Sequence, residues 1–348
     1  MHILAPSDEG LRKAAEALTA GLLVAFPTET VYGLGGDGFN RHALARIFAA
    51  KGRPRFDPLI IHIAALDSLE RIAAIASLEL TLRNKLDLLC ARLWPGPLTL
   101  ILPKQPEVPD LATSGLPTVA VRFPDHQVAQ QLIRLSTGAV AAPSANPFGY
   151  LSPTRAEHVQ EQLGDQVTFI IDGGPCGIGV ESTVLDLTAG SPRILRPGGT
   201  PRERIEEIIG AVEGPPVDSV RMFHSPGQLK SHYAPRTGLT LHRREEMILL
   251  PYEPSEAYLF FDRSSWDAWV QGPGHPYEVE PGWTETSRIR LLSERGNLDE
   301  AATRLFDTLH ELDTIGVSVI RAQWVPDAGR GAAINDRLSR AAARTQAS

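Results

Sequence analysis

Apolar positions along the first two hundred residues switch between two periods. The segment LRKAAEALTAG (residues 11–21) has helical spacing and ends on Gly21, a usual helix stop. LLVAFPT follows as a short buried strand closed by Pro27, RHALARIFAAKGR is helical again, and PLIIHIA has strand character. LELTLRNKLDLLCARLWPG predicts a long helix stopped by Pro95 and Gly96. PLTLILP, TVAVRFP, GAVAAPSAN, VTFIIDGG, STVLDLT and PRILRPG then predict strands in close succession. Strands that both alternate with helices and follow one another point to an α/β or α+β domain built on a central sheet.

The pattern breaks after residue 208. Residues 209–237 are rich in Pro, Gly, Ser and His with no sustained period, which suits an interdomain linker. A structureless stretch of that length fits poorly inside a compact domain, so it is expected to serve a function or to remain unfolded. Residues 238–348 read as a second, smaller α/β domain. There LTLHR, EAYLFF and GVSVIRAQW predict strands, and Leu298, Ala301, Ala302, Leu305, Leu309 and Leu312 form one face of a helix. GRGAAINDRLSRAAART predicts a terminal helix after a glycine-rich turn. Residues 1–208 form the expected first domain.

Composition narrows the classes. The chain has 348 residues, 43% of them apolar and 22% charged, and a formal net charge of −7. An acidic chain is a poor nonspecific coat for nucleic acid, although a local basic cleft stays compatible with it. Cys90 and Cys176 lack CxxC spacing and give neither a disulfide framework nor a thiolate metal site. No apolar run is long enough for a membrane helix and no secretory signal is evident, so a cytoplasmic protein without membrane contact is expected.

Candidate chemistry gathers at strand ends. KGRPRFDPLIIHI (residues 51–63) sets Lys51, Arg53 and Arg55 between a helix and a strand, pinned by Pro54 and Pro58. One cation would answer a helix dipole; three in five residues suggest an anion site. FPTETVYGLGGDG places Thr28, Glu29 and Thr30 after a buried strand, followed by glycines expected to allow positive φ and close approach to a ligand. Arg122 ends a strand on the face of Thr118 and Ala120, and APSANPFGYLSPT holds Ser144, Asn146, Ser152 and Thr154 among prolines. Neither a GxSxG elbow nor an HExxH motif is present, so a serine nucleophile and a zinc centre are poorly supported. Cations, hydroxyls and exposed backbone outnumber nucleophiles, a set suited to binding and orienting anionic substrates.

PTETVYGLG, KGRPRFDPL, SAN followed by SPT, STV and RPG resemble, in that order, the YrdC-like threonylcarbamoyl-AMP synthases. SPGQLKSHYAP resembles that family's linker motif, and VPDAGRGAAINDRLSRAA resembles the end of its long, two-domain form. The resemblance implies a twisted mixed α/β sheet with a large concave positive cleft, followed by a Rossmann-like domain. It implies that L-threonine captures CO2 or bicarbonate as an N-carboxylate, which attacks the α-phosphate of ATP and expels pyrophosphate. Threonylcarbamoyl-AMP would then pass to a separate transferase complex that modifies adenosine 37 of ANN-decoding tRNAs, with direct tRNA contact by this chain at most weak.

By the same resemblance Lys51, Arg53, Ser144 and Asn146 carry the chemistry. Arg53, Asp57, Thr118, Ser144, Ser152, Arg196 and the linker residue Tyr233 would meet ATP, with Mg2+ on the triphosphate. Thr30, His62, Arg122, the Ala142 backbone and Ser182 would surround threonine. Asp57 stands where the family usually has Asn and is expected to answer Arg55 or the magnesium. Ala142 stands where it often has Thr. Two other readings are a double-stranded-RNA-binding or ribosome-assembly module, disfavoured by acidity and the lack of stacking aromatics, and a carbamoyl-transfer domain of hydrogenase maturation. The latter should bring acylphosphatase and zinc-finger segments, which this sequence does not contain.

Overall fold

The computed structural model describes residues 2–214, 232–272 and 288–346, with the side chains of 344–346 left aside. The chain divides into two units, one of Met1–Phe148 with Ser152–Gln228, the other of Leu229–Ser348 with Gly149–Leu151. Most of the linker, including the SPGQLKS part of its motif, lies outside the described residues.

The first unit is a ten-stranded mixed sheet flanked by helices. Its strands are β1 (His2–Leu4), β2 (Val24–Phe26), β3 (Gly33–Asp37), β4 (Ile60–Ile63), β5 (Leu98–Pro103), β6 (Thr118–Arg122), β7 (Ala139–Ala141), β8 (Phe169–Ile171), β9 (Thr183–Asp186) and β10 (Arg193–Arg196). They run in the order β1-β8-β2-β3-β7-β4-β6-β5-β9-β10. The helices include α1 (Asp8–Thr19), α2 (Arg41–Lys51), α3 (Leu69–Ile72), α4 (Leu80–Leu93), α5 (Asp110–Thr113), α6 (Gln127–Leu135), α7 (Ala156–Leu163) and α8 (Arg202–Ile209). The expected class holds.

Strand alternation divides the sheet into two surfaces. Ile61, Leu100, Val121, Ala141 and Leu185 join the main core under the helices. The opposite side chains Ile60, Ile101, Ala120, Val184 and Leu195 form a small apolar floor of their own. His62, Arg122 and Thr99 continue that second face, because His62 pairs with Arg122 across β4–β6 and Thr99 with Arg122 across β5–β6. Three polar side chains thus stand abreast on three neighbouring strands, over an apolar base that fixes their height.

The glycine run departs from expectation. Gly33, Gly35 and Gly36 lie within β3, and neither they nor Gly38 adopt positive φ. A Cβ on Gly35 would stand 2.8 Å from Phe26 Cε1 and 3.1 Å from the Val24 carbonyl oxygen. The glycines therefore let a strand lie close against the Phe26 ring, and they do not form a phosphate cradle. Positive φ appears instead at Gly52, which closes α2 in the left-handed region and turns the chain towards Arg53.

In the second unit, β11 (Gly238–His242), β12 (Glu256–Asp262), β13 (Ile289–Ser293) and β14 (Val319–Gln323) make a parallel sheet in the order β11-β14-β12-β13. Helices α9 (Arg244–Met247), α10 (Arg263–Val270), α11 (Leu298–Thr314) and α12 (Gly331–Gln346) connect or follow the strands. Asn297 caps α11 by accepting from the amides of Asp299 and Glu300, and the predicted face is buried from Ala301 to Leu312, with Leu298 half-buried at its start. Strand β13 is absent from the sequence expectations.

Candidate active site

Three loops and the polar face of the sheet meet in the first unit. The turn after β2 is ordered by hydroxyls. Arg122 Nη1 donates to Thr30 Oγ1 at 2.9 Å, Thr30 Oγ1 lies 2.8 Å from Thr28 Oγ1, and Thr28 Oγ1 donates to the Val31 carbonyl at 2.7 Å. With the Thr28 proton committed to that carbonyl, Thr30 donates to Thr28 and accepts from Arg122. The other edge of the guanidinium faces Glu29, whose Oε1 is 2.6 Å from Arg122 Nη2, with both side chains largely buried.

His62 stands beside Arg122 on the same face and is 3% exposed. Its Nδ1 lies 3.2 Å from the Ile60 carbonyl oxygen, and its ring meets Phe26 edge-on at 6.5 Å. Burial, helped by the neighbouring Arg122 charge, lowers its pKa to about 3, so the ring is neutral. An unfolded chain would bind a proton there near pH 6.5. The unfolded state therefore holds more protons below that pH, and stability falls as pH drops from about 6.5 towards 3. Removing this titration in His62→Asn should flatten the pH dependence of unfolding by on the order of 1.4 kcal/mol per pH unit between about pH 6 and 4. Urea unfolding across that range measures it, and an unchanged slope would mean the ring already titrates in the fold.

The cation cluster follows α2. Lys51 is buried in the last turn of that helix, and its Nζ donates to the Ser144 carbonyl at 2.6 Å and the Asn146 carbonyl at 2.5 Å. Burial, chiefly, and the nearby Arg53 charge push its pKa well below the usual lysine range. Phe148 N returns a bond to the Lys51 carbonyl at 2.7 Å. The Ser-Ala-Asn turn is thus moored to the end of α2, while Leu34 N bonds the Pro143 carbonyl and Ala145 N the Tyr32 carbonyl. The Ser144 hydroxyl makes no hydrogen bond within the described residues and is only half-buried.

Asp57 corrects the expected pairing. Its Oδ2 lies 2.9 Å from Arg53 Nη2, not against Arg55, and both partners are buried. Arg53 also donates to the Asp57 and Pro58 carbonyls at 3.1 and 2.8 Å. Burial raises the Asp57 carboxyl above its ordinary range, against the opposing charges of Arg53, Lys51 and Arg196. Arg55 is exposed and takes part in no ion pair among the described residues. The reason is the turn at 53–58, which folds the i,i+4 partners inward and leaves the residue between them outside.

The third wall is the start of β9. Ser182 Oγ is 2.7 Å from Thr99 Oγ1 and accepts from Arg196 Nη2 at 3.2 Å, and Arg196 also donates to the Ser182 carbonyl at 2.8 Å. Gly198 permits this approach, since a Cβ there would stand 2.3 Å from the Ser182 carbonyl carbon. Ser152 Oγ donates to the buried Glu181 in a short hydrogen bond. Ala142 offers its carbonyl at the end of β7, with its amide bonded to the Ile60 carbonyl, and Thr118 opens β6 half-buried.

These contacts bring Thr30, His62, Arg122 and Ser182 into one polar lining, with Lys51, Arg53, Asp57, Ser144, Asn146, Ser152 and Arg196 gathered nearby. Tyr233 belongs to the second unit, buried there at φ 60°, with its ring 5.9 Å from Phe306 and the Arg337 guanidinium 4.9 Å above it. The sequence expectations left out Glu29, Thr99 and Glu181 as site residues. Thr99 was within reach through its period-two position in PLTLILP, and Glu29 through its place in the Thr28–Thr30 cluster; Glu181 carries no local signal.

Residues 16–198 match a family described as "Telomere recombination", and residues 200–343 match the "Threonylcarbamoyl-AMP synthase, C-terminal domain". The chain is similar to the threonylcarbamoyl-AMP synthase of Pyrococcus abyssi, with 41% identity over 95% of this chain and 93% of that protein. The corresponding protein of Bacillus subtilis shares 39% identity over 97% and 94%. The crystal structure of P. abyssi Sua5 in complex with L-threonine superposes with a TM-score of 0.83 at 38% identity, over 99% of this chain and 98% of that one. Matches of this length and identity leave one conclusion: the chain belongs to the threonylcarbamoyl-AMP synthase family, in the form that carries both domains.

Proposed function

We propose that this enzyme makes L-threonylcarbamoyladenylate from L-threonine, CO2 or bicarbonate, and ATP. The threonine ammonium gives up two protons to solvent, its nitrogen bonds to the carbon of CO2 as a C=O electron pair moves onto oxygen, and the resulting carbamate keeps one N–H. A carbamate oxygen then attacks the α-phosphorus, the bond to the bridging oxygen breaks, and pyrophosphate leaves. The product would be handed to a separate transferase complex for tRNA modification, and the absence of any helix long and apolar enough to cross a membrane among the described residues is compatible with that work in the cytoplasm.

The observation that carries this reading is the division of charge between one sheet face and the loops beside it. Arg122, beside neutral His62 and the Thr30 and Ser182 hydroxyls, offers a site for an amino-acid carboxylate, which a guanidinium binds with two parallel hydrogen bonds. Arg53 and Arg196 offer a second focus of positive charge for a triphosphate, with the Lys51 amine behind it holding the Ser144 turn. Nucleotidyl transfer needs mainly such positioning and neutralisation, so no side-chain nucleophile is required. Ser144, whose hydroxyl makes no hydrogen bond among the described residues, stands where its carbonyl accepts from Lys51. Among the described residues no three His, Cys, Asp or Glu side chains gather into a cation cage. Mg2+ would accordingly arrive with the triphosphate, held by phosphate oxygens and water, and supply charge neutralisation there.

Purified protein given ATP, L-threonine and bicarbonate should release pyrophosphate, and omitting threonine should stop the release. Pyrophosphate formed at the same rate without threonine would remove the amino acid from the reaction.

A further inference from the structure

Glu29 is the least buried residue of the stretch from Phe26 to Val31, yet both of its carboxylate oxygens lie out of solvent and accept no hydrogen bond from the described residues. Among the described residues its one close charged partner is Arg122, at 2.6 Å but out of line for a hydrogen bond. A carboxylate can accept about four hydrogen bonds, and a buried one without them bears a desolvation cost that a single ion pair offsets only in part. Arg122 is turned by its bond to Thr30 so that Nη2, the nitrogen facing Glu29, also donates to no group among the described residues. The nearby His126 does not supply the missing charge, because burial lowers its pKa and favours the neutral ring against the pull of Glu29.

The pair therefore presents a negative and a positive group side by side, each with unused hydrogen-bonding capacity. An α-amino acid carries the complementary pattern, an ammonium with three donors next to a carboxylate with acceptors. We propose that Glu29 receives the α-ammonium of the amino-acid substrate while Arg122 takes its carboxylate, so that the pair selects an α-amino acid over the hydroxy acid of the same shape. This inference rests on the threonine reading above and adds to it a residue and a basis for selectivity. Glu29 touches substrate in this account and is more than a support for Arg122.

Calorimetric titration with L-threonine and with (R)-3-hydroxybutyrate, the same molecule without its amino group, tests it. Wild-type protein should prefer threonine by about 10- to 100-fold, the range of a charged hydrogen bond. Glu29→Gln should lose most of that preference through weaker threonine binding, while hydroxybutyrate binds as well as before or better, since Arg122 is no longer masked. Glu29→Asp, which keeps the charge on a shorter stem, should retain part of the preference. Equal wild-type affinity for the two ligands overturns the inference without need of any variant. A Glu29→Gln chain in which both affinities fall by the same factor also overturns it, because that is the result for a group that only holds Arg122. Wild-type protein that binds hydroxybutyrate but not threonine, and releases pyrophosphate without threonine, removes the substrate reading and the inference together.

Discussion

Arg122→Ala should bind threonine at least 100-fold more weakly and lose about 3–5 kcal/mol of stability, the cost of leaving one member of a buried ion pair alone. Both effects come from one geometry. The side chain is 4% exposed, is bonded to Thr30, and stands against a Glu29 carboxylate that has no other close cation among the described residues. The two effects can be separated. Replacing Arg122 and Glu29 together by leucine removes the uncompensated charge and should return most of the stability. Threonine binding should stay lost in that double variant. Urea unfolding and threonine titration on the three chains measure both quantities. A single variant as stable as wild type would show that Glu29 finds another partner or takes up a proton at little cost, and unaltered threonine affinity would remove Arg122 from the amino-acid site.

The second large effect is expected at Lys51. Two of its three donors hold the Ser144 and Asn146 carbonyls, so Lys51→Met should leave the buried Asn146 oxygen unpaired at about 1–3 kcal/mol and the half-buried Ser144 oxygen at less. The turn then keeps its backbone bonds to Lys51, Leu34 and Tyr32 but loses the amine that holds it from within, and the Ser144 hydroxyl is less firmly placed. Pyrophosphate release should fall at least 100-fold, with lowered stability. A lysine that only contacted phosphate would behave differently. Its loss would raise the ATP requirement and leave the unfolding curve where it was. Steady-state kinetics alongside urea unfolding distinguishes the two, and unaltered stability in Lys51→Met would mean that the carbonyls do not depend on the amine.

Much of the fold could be read from period alone. Helices α1, α2, α4 and α11 stand where three- and four-residue spacing puts them, because each buries one stripe against a sheet. Strand β3 was hidden because its glycines look like a loop until the Phe26 ring they make room for is seen. Strand β13 was hidden because arginines interrupt and flank a run of only five residues. At the site, the cations and hydroxyls were legible as local clusters between prolines. Their counter-charges were not. Glu29 meets Arg122 across 93 positions, and Ser152 meets Glu181 across 29, distances bridged only by strand order. Asp57 was close enough in sequence to suggest a partner, and the turn between Arg53 and Pro58 chose the nearer face over the nearer neighbour.

The strand order of the second unit has a consequence for synthesis. Among the described residues the only strand that pairs with β11 is β14, made about 80 residues later, and it also separates β11 from β12. A nascent chain that has left the ribosome as far as α11 therefore carries β11 with both edges unpaired, beside a β12–β13 pair that lacks its other neighbour. Such exposed edges invite pairing with other chains, and closing the sheet means closing a long loop. The C-terminal residues from Val319 onward thus act as the keystone of that unit, and a message truncated shortly before them would yield a chain prone to aggregate.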